Sequence, residues 1–218
     1  MTDKSESQDF VAKVATSYDA VGDEYYRHYR SEPSAVVEKY ERLILDGIKP
    51  GGSVLELGCG NGLPTTRKLA QKFDVPALGF SQKQIEKTRQ NVAGPLFLHA
   101  DMSTVEFPER AFDGVVAFYS IIHVPRDRQF ELFRSILSWL RPGGLFVATF
   151  NRSGDEKYIE EDWFGAPMYW SGFEPDIYRK MIVDAGFVIE SDIVEVSDDP
   201  NSEGEKEIHL WMVARRPE

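Results

Sequence analysis

Apolar residues switch between two periods along this chain, and the switches mark its elements. From Asp9 they recur every three or four positions, at Phe10, Val14, Tyr18, Val21, Tyr25 and Tyr29, as on one face of a helix. Val36, Val37, Tyr40, Leu43 and Ile44 repeat that spacing and predict a second helix over 34–46. Val54, Leu55 and Leu57 then form a short apolar run bounded by turn residues, which reads as a buried strand of a parallel sheet. Comparable runs lie at Val75–Phe80, Leu96–Ala100, Asp113–Phe118 and Leu145–Phe150. Helical spacing returns over Leu63–Phe73, over Gln82–Val92 behind the N-cap candidate Ser81, and after Pro125, where Phe130, Phe133, Ile136, Leu137 and Leu140 face the core. Strands that alternate with helices predict crossover units.

The end of the chain reads differently. Pro175–Ala185 is a helix ended by Gly186. Two strands follow, Phe187–Val196 and Glu207–Ala214, joined by the acidic stretch Ser197–Glu205, which has no room for a helix. They are expected to form an antiparallel hairpin. The last strand carries Ile208, Leu210 and Met212 on one face and His209, Trp211 and Val213 on the other, so it belongs inside the sheet. The expected fold is α/β and Rossmann-like: a seven-stranded, mostly parallel sheet with an antiparallel terminal hairpin, helices on both faces and an N-terminal helical cap. Residues 1–8 read as a disordered tail and 9–218 as one domain, with the cap over 9–48 and the core over 49–218.

Composition narrows the partners. The chain has 218 residues, enough for one α/β domain with a substantial core. Asp and Glu number 36 against 25 Lys and Arg, a net charge of -11. That balance argues against a surface that tracks nucleic-acid phosphates, and against an anionic membrane. Cys59 is the single cysteine, which excludes an internal disulfide and fits a reducing compartment. No apolar run approaches the ~20 residues of a membrane span, and Met1–Asp9 is unlike a signal peptide. The expected location is cytoplasmic. No metal-binding set is assigned.

The chemistry gathers at Ser53–Gly62. After the first strand, Gly58, Gly60 and Gly62 form a turn whose backbone can take positive φ and approach a ligand closely. Strand, glycine turn and helix make a nucleotide-binding crossover, and the helix start offers backbone N–H groups. The spacing is G-x-G-x-G and lacks the G-x-G-x-x-G of dinucleotide enzymes, and Glu56 stands two residues ahead of it. This stretch resembles the E/D-x-G-x-G-x-G signature of class I S-adenosylmethionine-dependent methyltransferases. The likeness extends over roughly Tyr18–Arg215 and includes Arg141-Pro-Gly-Gly before the fifth strand.

The resemblance implies S-adenosyl-L-methionine as cofactor and methyl transfer to a small-molecule acceptor. It assigns cofactor contacts to Tyr18, Tyr25, Glu56, Gly58, Cys59, Gly60, Gly62, Leu63, Phe80, Asp101, Met102 and Phe118. Within it, Tyr18 and Tyr25 come from a Tyr-Asp cap segment, with packing onto the sheet as the rival role. Phe80 lies against the adenine. Asp101 accepts from the adenine amino group, with an Asx turn closing the strand as the rival. His123, on the exit loop of the fourth strand, is the candidate base, because a neutral imidazole can take a proton as its donor is methylated. The rival is a histidine bonded to loop backbone.

One position departs from the pattern. Where the family has an acid for the ribose hydroxyls, this chain has Gly79. An Asp restored there is expected to tighten the cofactor. The departure keeps two alternatives in view: a cofactor-binding relative that transfers no methyl, and an NAD-dependent oxidoreductase, which would want an acid there too. The stretch Asp155–Phe173 mixes acids with Tyr158, Trp163, Phe164, Tyr169, Trp170 and Phe173. It reads either as a lid over the substrate or as a loop packing its aromatics on the domain.

Overall fold

A computed structural model describes residues 4–22, 24–29, 34–94, 96–154, 157–196 and 208–218. The acidic stretch Ser197–Glu205 and residues 1–3 lie outside the described residues. The main sheet has seven strands: β1 (Val54–Leu57), β2 (Ala77–Gly79), β3 (Phe97–His99), β4 (Phe112–Ala117), β5 (Leu140–Asn151), β8 (Val188–Val196) and β9 (Ile208–Arg215), in the order β3-β2-β1-β4-β5-β9-β8. Pairings from β3 to β5 are parallel, while β9 runs antiparallel to both β5 and β8. The order reverses at β1 and β4, so a crevice opens beyond their carboxyl ends.

Helices cover both faces. On one, α6 (Arg126–Trp139) and α7 (Pro175–Ala185) bury Leu132, Phe133, Ile136, Tyr178 and Ile182 against Leu55, Val115, Phe146 and Met212. On the other, α3 (Ala35–Gly47) buries Val37, Tyr40 and Ile44 against Val54, Val147, Trp211 and Val213. Tyr40 and Trp211 stack with ring centroids 4.2 Å apart. The two faces of β9 divide between these clusters as its alternation predicts. Ser34 caps α3 by accepting the Val37 N–H at 3.2 Å. α5 (Gln82–Asn91) has Ser81 as its cap and buries Ile85 beside Ala77 and Phe97.

Several boundaries differ from the sequence reading. The first helix, α1 (Lys4–Val21), begins five residues before Asp9, where a disordered tail was expected over 1–8. It stops at Gly22, whose φ is +61°, and α2 (Glu24–Tyr29) follows as a separate piece. The helix expected over 63–73 shrinks to α4 (Thr65–Leu69). In α6, Leu132 and Trp139 are buried, while Phe130 and Leu137 pack only at the core's margin.

The aromatic stretch after β5 is a hairpin, β6 (Tyr158–Trp163) and β7 (Ala166–Trp170), forming a second sheet. Its Trp163, Met168 and Tyr169 bury against Phe10, Val14 and Val21 of α1. The aromatics serve to dock the hairpin on the N-terminal helix. Among the described residues no helix is long and apolar enough to cross a membrane.

Candidate active site

A cavity open to solvent on one side lies beyond the carboxyl ends of β1, β2 and β4. The glycine turn forms its floor. Gly58, Gly60 and Gly62 have φ of +87°, +55° and +82°. A Cβ on Gly58 would overlap Ser120, whose hydroxyl donates to the Leu57 carbonyl at 2.6 Å, so this glycine lets the β4 exit close on the turn. A Cβ on Gly60 would overlap the Tyr26 hydroxyl, which accepts the Asn61 N–H at 2.7 Å. A Cβ on Gly62 would stand 2.9 Å from Thr88 Cγ2 and Val92 Cγ2. Gly62 therefore serves the packing of α5, and it lies outside the cavity lining.

Of the expected cofactor residues, Tyr18, Glu56, Gly58, Cys59, Gly60, Leu63, Phe80, Met102 and Phe118 line this cavity together. Glu56 is a carboxylate only 5 % exposed. Burial and the Glu56 charge push the Cys59 thiol well above its ordinary range, so it stays protonated. Asp101 is not in the lining. Its Oδ1 accepts from the Ser103 N–H at 2.8 Å and the Ser103 hydroxyl at 2.7 Å, and its Oδ2 lies 3.2 Å from Arg128 Nη1. This is the Asx turn that was the rival to adenine binding. Tyr25 lies in α2 with its side chain outside the described residues.

His123 closes the cavity's inner end on a single 3₁₀ turn, Ile121–His123. Its Nδ1 lies 2.7 Å from the Tyr169 carbonyl, and its Nε2 lies 2.9 Å from the Tyr18 hydroxyl. A carbonyl only accepts, so Nδ1 carries the proton; in the neutral ring Nε2 then accepts from Tyr18. Burial drives the imidazole pKa down to about 4, against a smaller upward push from the Tyr169 carbonyl. At neutral pH the ring is uncharged, with its basic nitrogen turned toward the cavity through Tyr18. The backbone-bonded and catalytic readings of His123 are thus compatible: the hairpin carbonyl sets the tautomer that a base requires.

The lining also includes Tyr26, Thr65, Gly79, Ser81, Gln84, Tyr119 and Ser120, which the sequence reading did not assign. Tyr119 has φ of +52°, a conformation costly for a bulky side chain, and its N–H is held by Thr149 Oγ1 at 2.9 Å. Tyr26 reaches the cavity from α2, the helix that follows the break at Gly22.

Comparison with known proteins agrees with this geometry. A family described as "Methyltransferase domain" matches residues 54–144. Phosphoethanolamine N-methyltransferase 1 of Arabidopsis thaliana is 31% identical over 147 residues, covering 64% of this chain and 29% of that protein. The 27-O-demethylrifamycin SV methyltransferase of Amycolatopsis mediterranei is 31% identical over 136 residues, covering 56% of this chain and 49% of that protein. The chain thus spans less than half the length of either relative. The crystal structure of Burkholderia thailandensis 1,6-didemethyltoxoflavin-N1-methyltransferase, with 1,6-didemethyltoxoflavin and S-adenosylhomocysteine bound, superposes with a TM-score of 0.73 at 17% identity, covering 100% of this chain and 92% of that one. The family match covers residues 54–144, and the likeness to the solved methyltransferase structure is one of fold.

Proposed function

We propose that this chain is an enzyme that transfers a methyl group from S-adenosyl-L-methionine to a small-molecule acceptor. One observation carries the reading: a glycine turn with a buried acid, and a half-buried Tyr18 bonded to the buried His123, open onto the same cavity. The residues present fit the cofactor. Gly58 and Gly60 present bare backbone in the cavity lining, and the buried Glu56 carboxylate suits the ammonium of an amino-acid moiety. Phe80 and Met102 offer apolar surface for an adenine ring.

When bound, S-adenosylmethionine supplies a methyl already activated by its positive sulfur. The protein's work is then positioning and proton removal. Tyr18 takes the acceptor's proton on its hydroxyl oxygen while passing its own to His123 Nε2. The Tyr169 carbonyl, bonded to Nδ1–H, steadies the imidazolium that results. The burial of His123 keeps bulk water from its ring.

The wider reading is of one domain, with 9–48 as the cap over a core of 49–218, acting in the cytoplasm without nucleic acid or membrane. The net charge of -11 and the single cysteine support it. A thermal-shift screen with S-adenosylmethionine, S-adenosylhomocysteine, NAD and NADP tests the cofactor. A ligand at ~100 times its dissociation constant stabilises by roughly 2.7 kcal/mol. Stabilisation by the nicotinamide cofactors and not by the adenosyl-sulfur compounds would overturn the reading.

A further inference from the structure

The position where a ribose-binding acid was expected cannot supply one from its own side. Gly79 takes no left-handed φ, and a Cβ added to it would lie 3.5 Å from Ile85 Cδ1. Gly79 lines the cavity but carries no side chain to offer an acceptor. The cofactor's hydroxyls therefore need an acceptor from elsewhere, and the described residues contain one that nothing else uses.

Gln84 sits on the first turn of α5, 3 % exposed, and lines the cavity beside Phe80, Ser81 and Met102. Its Nε2 donates to the Gly22 carbonyl at 3.2 Å, at the end of α1. That carbonyl can only accept, so the amide orientation is fixed and Oε1 faces the other way. Oε1 is buried and has no hydrogen-bond partner among the described residues. A buried carbonyl oxygen left without a donor is costly, and such groups in folded proteins are nearly always satisfied. Its neighbour Ser81 is already engaged: the hydroxyl donates to Asp19 Oδ1 and accepts the Gln84 N–H at 3.1 Å.

We propose that Gln84 Oε1 accepts a hydrogen bond from a ribose hydroxyl of the bound cofactor, in the role the missing acid would have had. This rests on the cofactor reading above. It makes ribose recognition depend on a neutral amide that is itself anchored to the N-terminal cap through Gly22. The acceptor is thus in place only when α1 is docked.

Calorimetry with S-adenosylhomocysteine and its 2′-deoxy and 3′-deoxy analogues tests the proposal. The parent protein should bind one deoxy analogue roughly 5–10-fold more weakly than the full ligand. Gln84→Met, which keeps the volume and loses the oxygen, should bind the full ligand about as weakly, with no further loss for that analogue. Equal affinity of the parent for all three ligands would overturn the proposal without need of a variant. So would a folded Gln84→Met that still discriminates. No binding of S-adenosylhomocysteine by the parent would overturn the cofactor reading as well, which separates the two failures.

Discussion

The Tyr18 hydroxyl and His123 Nε2 meet at 2.9 Å across 105 residues of chain, and the rings pack edge to face with centroids 5.4 Å apart. One partner comes from the N-terminal helix and the other from the exit of β4, so the pair exists only when the cap is closed on the sheet. With the proton on Nδ1 held by Tyr169, the pair has a defined direction for proton flow.

Removing His123 should therefore slow turnover and leave the cofactor in place. His123→Ala is expected to lower kcat by about 10²–10⁴, with the dissociation constant of S-adenosylhomocysteine unchanged. Tyr18→Phe should lower kcat as well, because the acceptor's proton loses its first station. Full turnover in His123→Ala would leave the histidine a structural loop residue. The kcat of the parent should hold as pH falls below 6.5 and decline only toward about 4, where the folded imidazole becomes charged.

Gly60→Asp tests the floor of the cavity. The added Cβ would overlap the Tyr26 hydroxyl, at a φ of +55° that side chains rarely adopt. The Asp charge would also stand beside the carboxylate of the cofactor's amino-acid half. Binding of S-adenosylmethionine should vanish in calorimetry while circular dichroism keeps its native shape. A folded variant that binds normally would put the cofactor elsewhere.

Two buried histidines give stability a pH dependence with a definite sign. Burial lowers both His123 and His209 from 6.5 to about 4 in the folded protein. Between those values the unfolded chain binds protons that the folded chain refuses, so stability rises with pH through that window. The denaturant midpoint should fall as pH drops from about 6.5 to about 4, and His209→Gln should flatten part of that slope. A flat profile would mean that the histidines are solvated.

Some of this was legible in the sequence and some was not, and the division is physical. Local periodicity carried the strand and helix order, and the two-sided alternation of Ile208–Val213 placed β9 inside the sheet. The glycine spacing marked the turn but not the separate duty of each glycine: Gly62 answers to Thr88 and Val92, residues distant in sequence. Asp101 looked like a ligand group because strand-end acids often are. In the fold it bonds Ser103 and Arg128, neighbours the sequence does not reveal, and is not among the cavity-lining residues. At Gly79 an added Cβ would make an ordinary contact with Ile85 Cδ1 at 3.5 Å, so Gly79→Asp should fold and tighten S-adenosylmethionine roughly 5–30-fold in calorimetry. A folded variant that binds more weakly would show a pocket built around the missing side chain.

The hairpin makes the last case. Nothing in the sequence paired Tyr169 with His123, yet the Tyr169 carbonyl fixes the histidine's tautomer, and the hairpin is held by an apolar seam with α1 in which Val14 is fully buried. Val14→Asp would place a charge in that seam, which costs several kcal/mol unless the seam opens. The sheet and its two main clusters do not involve Val14, so the core should stay folded while the cap loosens. Loosening admits water to His123. Its imidazole, followed by NMR titration, should then move from about 4 back toward 6.5, and kcat should fall at least tenfold as Tyr18 leaves it. An unchanged titration in a folded Val14→Asp protein would show that the cap does not bury His123, and the link drawn here between α1, the hairpin and the base would be lost.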